Sequence, residues 1–93
     1  MQAFWNEVMI AESDHTVELE GNHYFPLSAL KPEFFTDSTH TSTCSWKGLA
    51  NYFNVEVGGK QNPNAAWIYK TPSSAAAEIA NHVAFWKGVV VKR

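Results

Sequence analysis

Apolar and polar residues alternate along much of this chain, the pattern of strands that bury one face and expose the other. The clearest alternation runs over residues 48–57, where one side carries Leu49, Phe53, Val55 and Val57, with Asn51 as the exception. The turn signal Gly58-Gly59 follows directly. This segment therefore predicts a half-buried strand that ends in a turn.

The residues after this turn predict the second half of a hairpin. Asn62-Pro63-Asn64 is expected to form the far end of a longer loop, because proline cannot donate to a strand ladder. Residues 65–69 are then expected to return as the partner strand.

Both ends of the chain also have strand character. Residues 7–13 and 15–20 alternate, and Ser13-Asp14 between them has turn chemistry, so the two runs are expected to pair as a hairpin. Residues 83–91 are rich in β-branched and aromatic side chains and predict one last strand.

Two segments depart from this pattern. Residues 36–43 are rich in Thr and Ser, which favours a loop or an edge strand. Residues 74–81 carry three consecutive alanines and predict one short helix, since alanine loses no side-chain entropy there; Asn81 is expected to end it in a left-handed conformation. We therefore predict a mainly β fold: one compact domain over residues 1–93, an antiparallel small sandwich or open barrel of the β-tent type, with this short helix near the C-terminus.

Composition limits the partners. The chain has 93 residues, enough for one domain, with four Trp, three Tyr and six Phe to build its core. The net charge is −2 and no basic cluster occurs, which argues against nucleic-acid and anionic-membrane partners. No apolar stretch approaches the roughly 20 residues of a membrane-spanning helix.

Cysteine and histidine usage limits the chemistry. A single cysteine excludes a disulfide within the chain and a four-cysteine zinc site, and a reducing cytoplasm is the expected compartment. The four histidines show no convincing ligand spacing, so we predict no metal site, and the residues do not identify a cofactor.

Glu20 and Tyr24 are the first polar candidates. Alternation places Glu20 on the side away from Val17 and Leu19, so a solvated strand end is expected; the alternative is a carboxylate that faces a pocket as a base or cation partner. Tyr24 is expected to be a core aromatic with its hydroxyl at the surface.

Cys44 and Lys47 are the second pair. Cys44 is expected to be a small buried hydrophobe; as a nucleophile it would need a base such as His40 or His82. Lys47 either extends to water or binds an anion or carbonyl group beside the indole of Trp46, and both interpretations remain open. The glycine that follows would let a ligand approach the backbone.

A set of aromatic residues has two interpretations as well. Core packing is the commoner role, and lining of a cleft is the alternative. The set comprises Trp46, Tyr52, Trp67, Tyr69 and Trp86.

A series of short motifs runs through nearly the whole chain: Ala11-Glu12-Ser13, Glu20-Gly21-Asn22-His23-Tyr24-Phe25-Pro26, Thr43-Cys44-Ser45-Trp46-Lys47-Gly48, Ala65-Ala66-Trp67-Ile68-Tyr69 and Val83-Ala84-Phe85-Trp86. In this order they resemble the domain of unknown function family 427, sometimes labelled nucleotidyltransferase-like. Members commonly have a proline where this chain has Ser45.

The resemblance implies a compact β-rich fold with a short helix near the C-terminus, and bacterial members that are often single small domains. It implies no reaction. Metal-dependent nucleotidyl transfer would need paired carboxylates, whereas Glu18 and Glu20 are spaced as neighbours on an exposed strand face. The matching residues that the resemblance brings forward as a candidate site are Glu20, Tyr24, Cys44, Trp46, Lys47, Trp67 and Tyr69.

Three functions compete. The favoured hypothesis is a domain that binds a small polar or anionic ligand in an aromatic-lined cleft, anchored by Lys47 and Glu20. The second is a small transferase-like enzyme with Cys44 or Lys47 as its nucleophile. The third is an interaction module that forms a homodimer through an exposed strand or an aromatic patch.

Overall fold

Nine strands in two antiparallel sheets make up most of the computed structural model, which describes all of residues 1–93. The smaller sheet has the order β2-β1-β9 and the larger one β3-β4-β8-β7-β6-β5, and neither closes into a barrel. The predicted mainly β, antiparallel fold is confirmed. The strands are β1 Gln2–Trp5, β2 Val8–Glu12, β3 Val17–Leu19, β4 Asn22–Pro26, β5 Phe35–Cys44, β6 Gly48–Val57, β7 Lys60–Ile68, β8 His82–Phe85 and β9 Val90–Lys92.

The main core lies between the two sheets. Ile10 of the smaller sheet packs with Val55, Ile68 and Val83 of the larger one, and all four side chains are fully buried. Each such side chain contributes about 1.5–3 kcal/mol by leaving water. The alternation that predicted β6 therefore arises because one face of the larger sheet contributes its side chains to this core.

The opposite face of the larger sheet carries a second cluster. The 3-10 helix Ser74–Ile79 covers part of this face and contributes Ala76 and Ile79 to it. The predicted short helix is therefore a 3-10 helix, broken by the non-helical Ala76, and Asn81 follows it with φ 57°, as predicted. The members of the cluster are Tyr24, Ala50, Tyr69, Ala76, Ile79 and Ala84.

Two further 3-10 turns, Leu27–Ala29 and Pro32–Phe34, lead from β4 into β5. The segment rich in Thr and Ser, β5, forms an edge of the larger sheet, as predicted, with an irregularity between Asp37 and Thr41. None of the helical segments has the length and apolar character needed to cross a bilayer.

The predicted hairpin of residues 7–13 with residues 15–20 is wrong. β2 pairs with β1 and β3 pairs with β4, in different sheets. The hairpin turns are Asn6-Glu7 and Glu20-Gly21, and all four residues have positive φ values between 50° and 78°. Two-residue turns of this kind match the twist of paired strands, so they pair β1 with β2 and β3 with β4 rather than β2 with β3.

The predictions for β7 and for the last strand are wrong in their bounds. β7 begins at Lys60, because a bulge accommodates Pro63: Asn64 has φ 60° and its N–H donates to the side-chain oxygen of Asn54 (3.0 Å). The predicted single strand over residues 83–91 is two strands in different sheets, because Lys87-Gly88 turns the chain at φ 55° and 87°.

We predict that Gly48→Ala destabilises the fold. Gly48 begins β6 at φ +112°, where an L residue is strained, although an added Cβ would meet the backbone of Pro72 and Ser73 only at 3.7–3.8 Å. The expected loss in the free energy of unfolding is about 1–3 kcal/mol, measured by urea titration. Thr39→Ala, an exposed change on β5, is the control and should shift stability by less than about 0.5 kcal/mol. Equal midpoints for the two variants would contradict the prediction.

Candidate functional site

A buried lysine lies at the centre of the second face. Lys47, in the loop between β5 and β6, is only 8% exposed. Its ammonium donates a hydrogen bond to the carboxylate of Glu20 and lies 5.5 Å from the ring centre of Trp46 and 5.4 Å from that of Tyr69. Of the two interpretations left open for Lys47, extension into water does not apply.

The backbone around Lys47 is fixed by the segment that precedes the 3-10 helix. The Ser73 N–H donates to the Lys47 carbonyl (2.9 Å), and the Ser73 hydroxyl donates to the Trp46 carbonyl (2.5 Å). The side of Gly48 that would carry a Cβ faces this segment, so the role predicted for it is wrong: the chain, not a ligand, lies beside its backbone. These two hydrogen bonds fix the position of the β5–β6 loop and therefore of Lys47.

Glu20 also reaches the Lys47 ammonium, from the turn between β3 and β4. Alternation along β3 predicted that it would face away from Val17 and Leu19, and this prediction is wrong. Glu20 lies in the turn at φ 54°, outside the strand, so the period of two ends before it. Its side chain is 47% exposed and its carboxylate is turned towards Lys47.

The contact between Lys47 and Glu20 shifts the pKa values of both side chains towards their charged forms. The hydrogen bond from Lys47 lowers the pKa of Glu20, with a smaller contribution from Trp46. Burial acts against the charged form of Lys47, but the Glu20 hydrogen bond and the nearby phenols of Tyr24 and Tyr69 outweigh it, so the pKa of Lys47 is raised. At neutral pH the pair is therefore an ammonium and a carboxylate.

An aromatic depression of about 210 Å³ opens beside the ammonium. Trp67 and Trp86 meet there almost at right angles, with ring centres 5.9 Å apart and planes at 86°. Tyr52 lies directly opposite Trp67 in the β6–β7 register. The lining residues are Lys47, Tyr52, Trp67, Tyr69 and Trp86.

Hydrogen bonds hold these rings in position. The Trp67 indole N–H donates to the Tyr24 hydroxyl (3.3 Å), and the Trp86 indole N–H donates to the Asn64 carbonyl (2.5 Å). The Tyr52 hydroxyl bonds the Ser42 hydroxyl (2.8 Å). Tyr24 is fully buried, so the predicted surface position of its hydroxyl is wrong: it is the internal partner of an indole.

Cys44 is a free, half-buried cysteine that packs on the edge of the second cluster. The two histidines considered as its base have other partners. His40 stacks on Tyr52 with ring centres 4.6 Å apart. The His82 Nδ1–H donates to the Ala80 carbonyl (2.8 Å). No group of three or more His, Cys, Asp and Glu side chains is arranged to hold a metal ion.

The structure brings the predicted site residues to one sheet face. Lys47 contacts three of them, Trp67 bonds Tyr24, and Cys44 packs in the same cluster. The resemblance did not bring forward Tyr52 and Trp86, which line the depression. Both belong to the aromatic set for which cleft lining was the alternative role, and the hairpin register sets Tyr52 opposite Trp67.

Fold and site together define a small two-sheet β domain with a lysine-centred aromatic depression on one face. The chain matches the family described as domain of unknown function (DUF427) over residues 1–92, and it belongs to this family. The predicted family membership is confirmed. No curated protein matches the chain.

We predict that Glu20→Gln lowers the stability of the domain at neutral pH and that this loss disappears in acid. Because the folded pKa of Glu20 lies below its ordinary value of 4.5, its contribution is present above pH 4.5 and is lost as the pH falls through the folded value. Lys47 contributes below its ordinary value of 10.5 and loses its contribution as the pH rises through its own raised value. Urea midpoints of wild type and variant between pH 3 and pH 7 measure the difference.

Glu18→Gln is the matched control for this experiment. Glu18 lies on the same hairpin, but its side chain is 68% exposed and only approaches His23, at 4.0 Å. A pH-independent difference between wild type and Glu20→Gln, or an equal loss in both variants, would contradict the prediction.

Proposed function

We propose that this chain is a small-molecule-binding domain that holds a small polar or anionic ligand in the aromatic depression, anchored by Lys47. The observation that carries the proposal is the buried ammonium at the wall of this concave, ring-lined surface. Ligand sites are typically concave and mostly apolar, with few polar groups that fix orientation. The depression fits that description and has Lys47 as its only charged lining residue.

A purely structural role explains this lysine poorly. Desolvation of the buried Lys47 ammonium opposes folding, and apolar replacements of buried ionic groups of similar volume are often neutral or stabilising. The neighbours of Lys47, Trp46 and Tyr69, already form an apolar environment in which such a replacement would pack. A lysine here therefore supports a role in recognition.

The size of the site limits the ligand. Drug-sized ligands occupy about 300–1,000 Å³, whereas this depression measures about 210 Å³. The depression therefore accommodates about one ring of a ligand.

The enzyme hypothesis has less support. A nucleophilic lysine must lose its proton, which a lowered pKa favours, whereas the pKa of Lys47 is raised. A nucleophilic Cys44 would need a base, and neither His40 nor His82 is hydrogen-bonded to its thiol: His40 contacts Tyr52 and His82 bonds the Ala80 carbonyl. Binding without covalent chemistry is the function we propose.

The compartment and the class of partner complete the proposal. The single free cysteine supports the cytoplasm as the compartment. The net charge of −2 and the absence of a basic cluster support a small-molecule partner over nucleic acid.

We predict that single-ring carboxamides or carboxylates, benzamide and benzoate among them, shift the indole N–H signals of Trp67 and Trp86 in NMR titrations. Lys47→Met should abolish the shifts. It should lower the free energy of unfolding by no more than about 1 kcal/mol, and an increase is also consistent with the prediction. Loss of binding without loss of stability separates a recognition role from a folding role.

The controls follow from the structure. Lys60→Met removes an exposed lysine in β7, outside the lining of the depression, and should leave the titrations unchanged. Trp86→Ala removes a 45% exposed ring from the wall and should weaken binding with little effect on folding. The absence of indole shifts with every compound in the panel would overturn the proposal.

Self-association is a second candidate function, favoured by β5. This strand is 10 residues long and lies at an edge of the larger sheet, where its outer side has no partner strand. If it pairs with a second copy, wild type should sediment as a dimer at about 100 μM, and Thr41→Lys should restore a monomer by placing like charges on facing strands. A monomeric wild type would remove this candidate.

A further inference from the structure

The charge of the candidate site is balanced before any ligand arrives. Glu20 holds one proton of the Lys47 ammonium in a hydrogen bond, and no other charged side chain lines the depression. Another cation, Lys87, lies over the Trp86 ring and donates to the Pro63 carbonyl (3.2 Å). Lys47 and Glu20 therefore sum to zero formal charge.

This balance acts against an anionic ligand. A carboxylate or phosphate at Lys47 would become the second anion on one ammonium, beside the Glu20 carboxylate, and like charges in a shared site repel. A neutral carbonyl oxygen meets no such repulsion. It accepts one of the remaining ammonium protons in a charge-assisted hydrogen bond.

The two tryptophans in the wall contribute shape, and the other polar groups of the lining are the phenols of Tyr52 and Tyr69. The indole N–H groups of Trp67 and Trp86 already donate to Tyr24 and Asn64, so the two rings offer surfaces and edges but no free donors. Their right-angled arrangement fits a flat ring that stacks on one indole and meets the other at its edge.

We infer that this site selects a neutral planar ring that carries a carbonyl acceptor, and that Glu20 is the residue that discriminates against anions. The inference rests on the proposed function and narrows it from polar or anionic ligands to neutral ones. Glu20 fits this role because it does not itself line the depression, while its half-exposed carboxylate is bonded to Lys47, which does.

Benzamide and benzoate test the inference, because they share one ring and differ in charge. Titrations followed by the indole N–H signals should give wild type a preference for benzamide of about fivefold or more, the effect of roughly 1 kcal/mol. Glu20→Gln leaves the ammonium without its anion, so benzoate should then bind as tightly as benzamide or more tightly. Glu18→Gln should keep the wild-type preference, and the dispersion of the indole signals confirms folding of each variant.

The outcomes separate the two proposals. A wild type that prefers benzoate, or a preference that Glu20→Gln leaves unchanged, would overturn the role of Glu20 and leave the binding function in place. If neither probe shifts the indole signals while other members of the panel do, the inference fails alone. If no compound shifts them, it fails together with the proposed function.

Discussion

The ion pair between Lys47 and Glu20 is the interaction on which this face of the domain depends. A buried ammonium is tolerable only with an anionic or hydrogen-bonding partner, and Glu20 supplies one from the β3–β4 turn. The pair thereby ties that turn to the β5–β6 loop across the intervening strands of the larger sheet. The rings of Trp46 and Tyr69 then pack around the charge at distances that favour cation–π attraction.

The larger sheet uses its two faces differently. One face packs against the smaller sheet and forms a dry core around residues such as Ile68 and Val83. The other is covered over part of its area by the 3-10 helix Ser74–Ile79, and the uncovered part carries Trp67 and Trp86. The depression is therefore a portion of this sheet face that the 3-10 helix leaves uncovered.

Folding and recognition share residues at this boundary. Tyr24 and Tyr69 belong to the second cluster, yet Tyr24 also fixes the Trp67 indole and Tyr69 also lines the depression. Under the proposed function, the motifs that run through the whole chain would mark both roles at once, because a rigid site on a small domain must be built on its core. Substitutions that separate stability from binding, as at Lys47, are the means to tell the two apart.

The sequence by itself determined the fold class, the strand β6 and the family, and it limited residues 36–43 to a loop or an edge strand. These follow from alternation, composition and short motifs, which are local properties of the chain. The tertiary structure alone decided which strands pair, how Pro63 enters β7, and where Glu20 points. Each of these depends on the backbone angles of a few turn residues, such as φ 54° at Glu20, because these angles set the direction of the chain that follows. The charge balance of the site was undecidable from sequence for the same reason, since it joins two residues 27 positions apart through a turn and a loop.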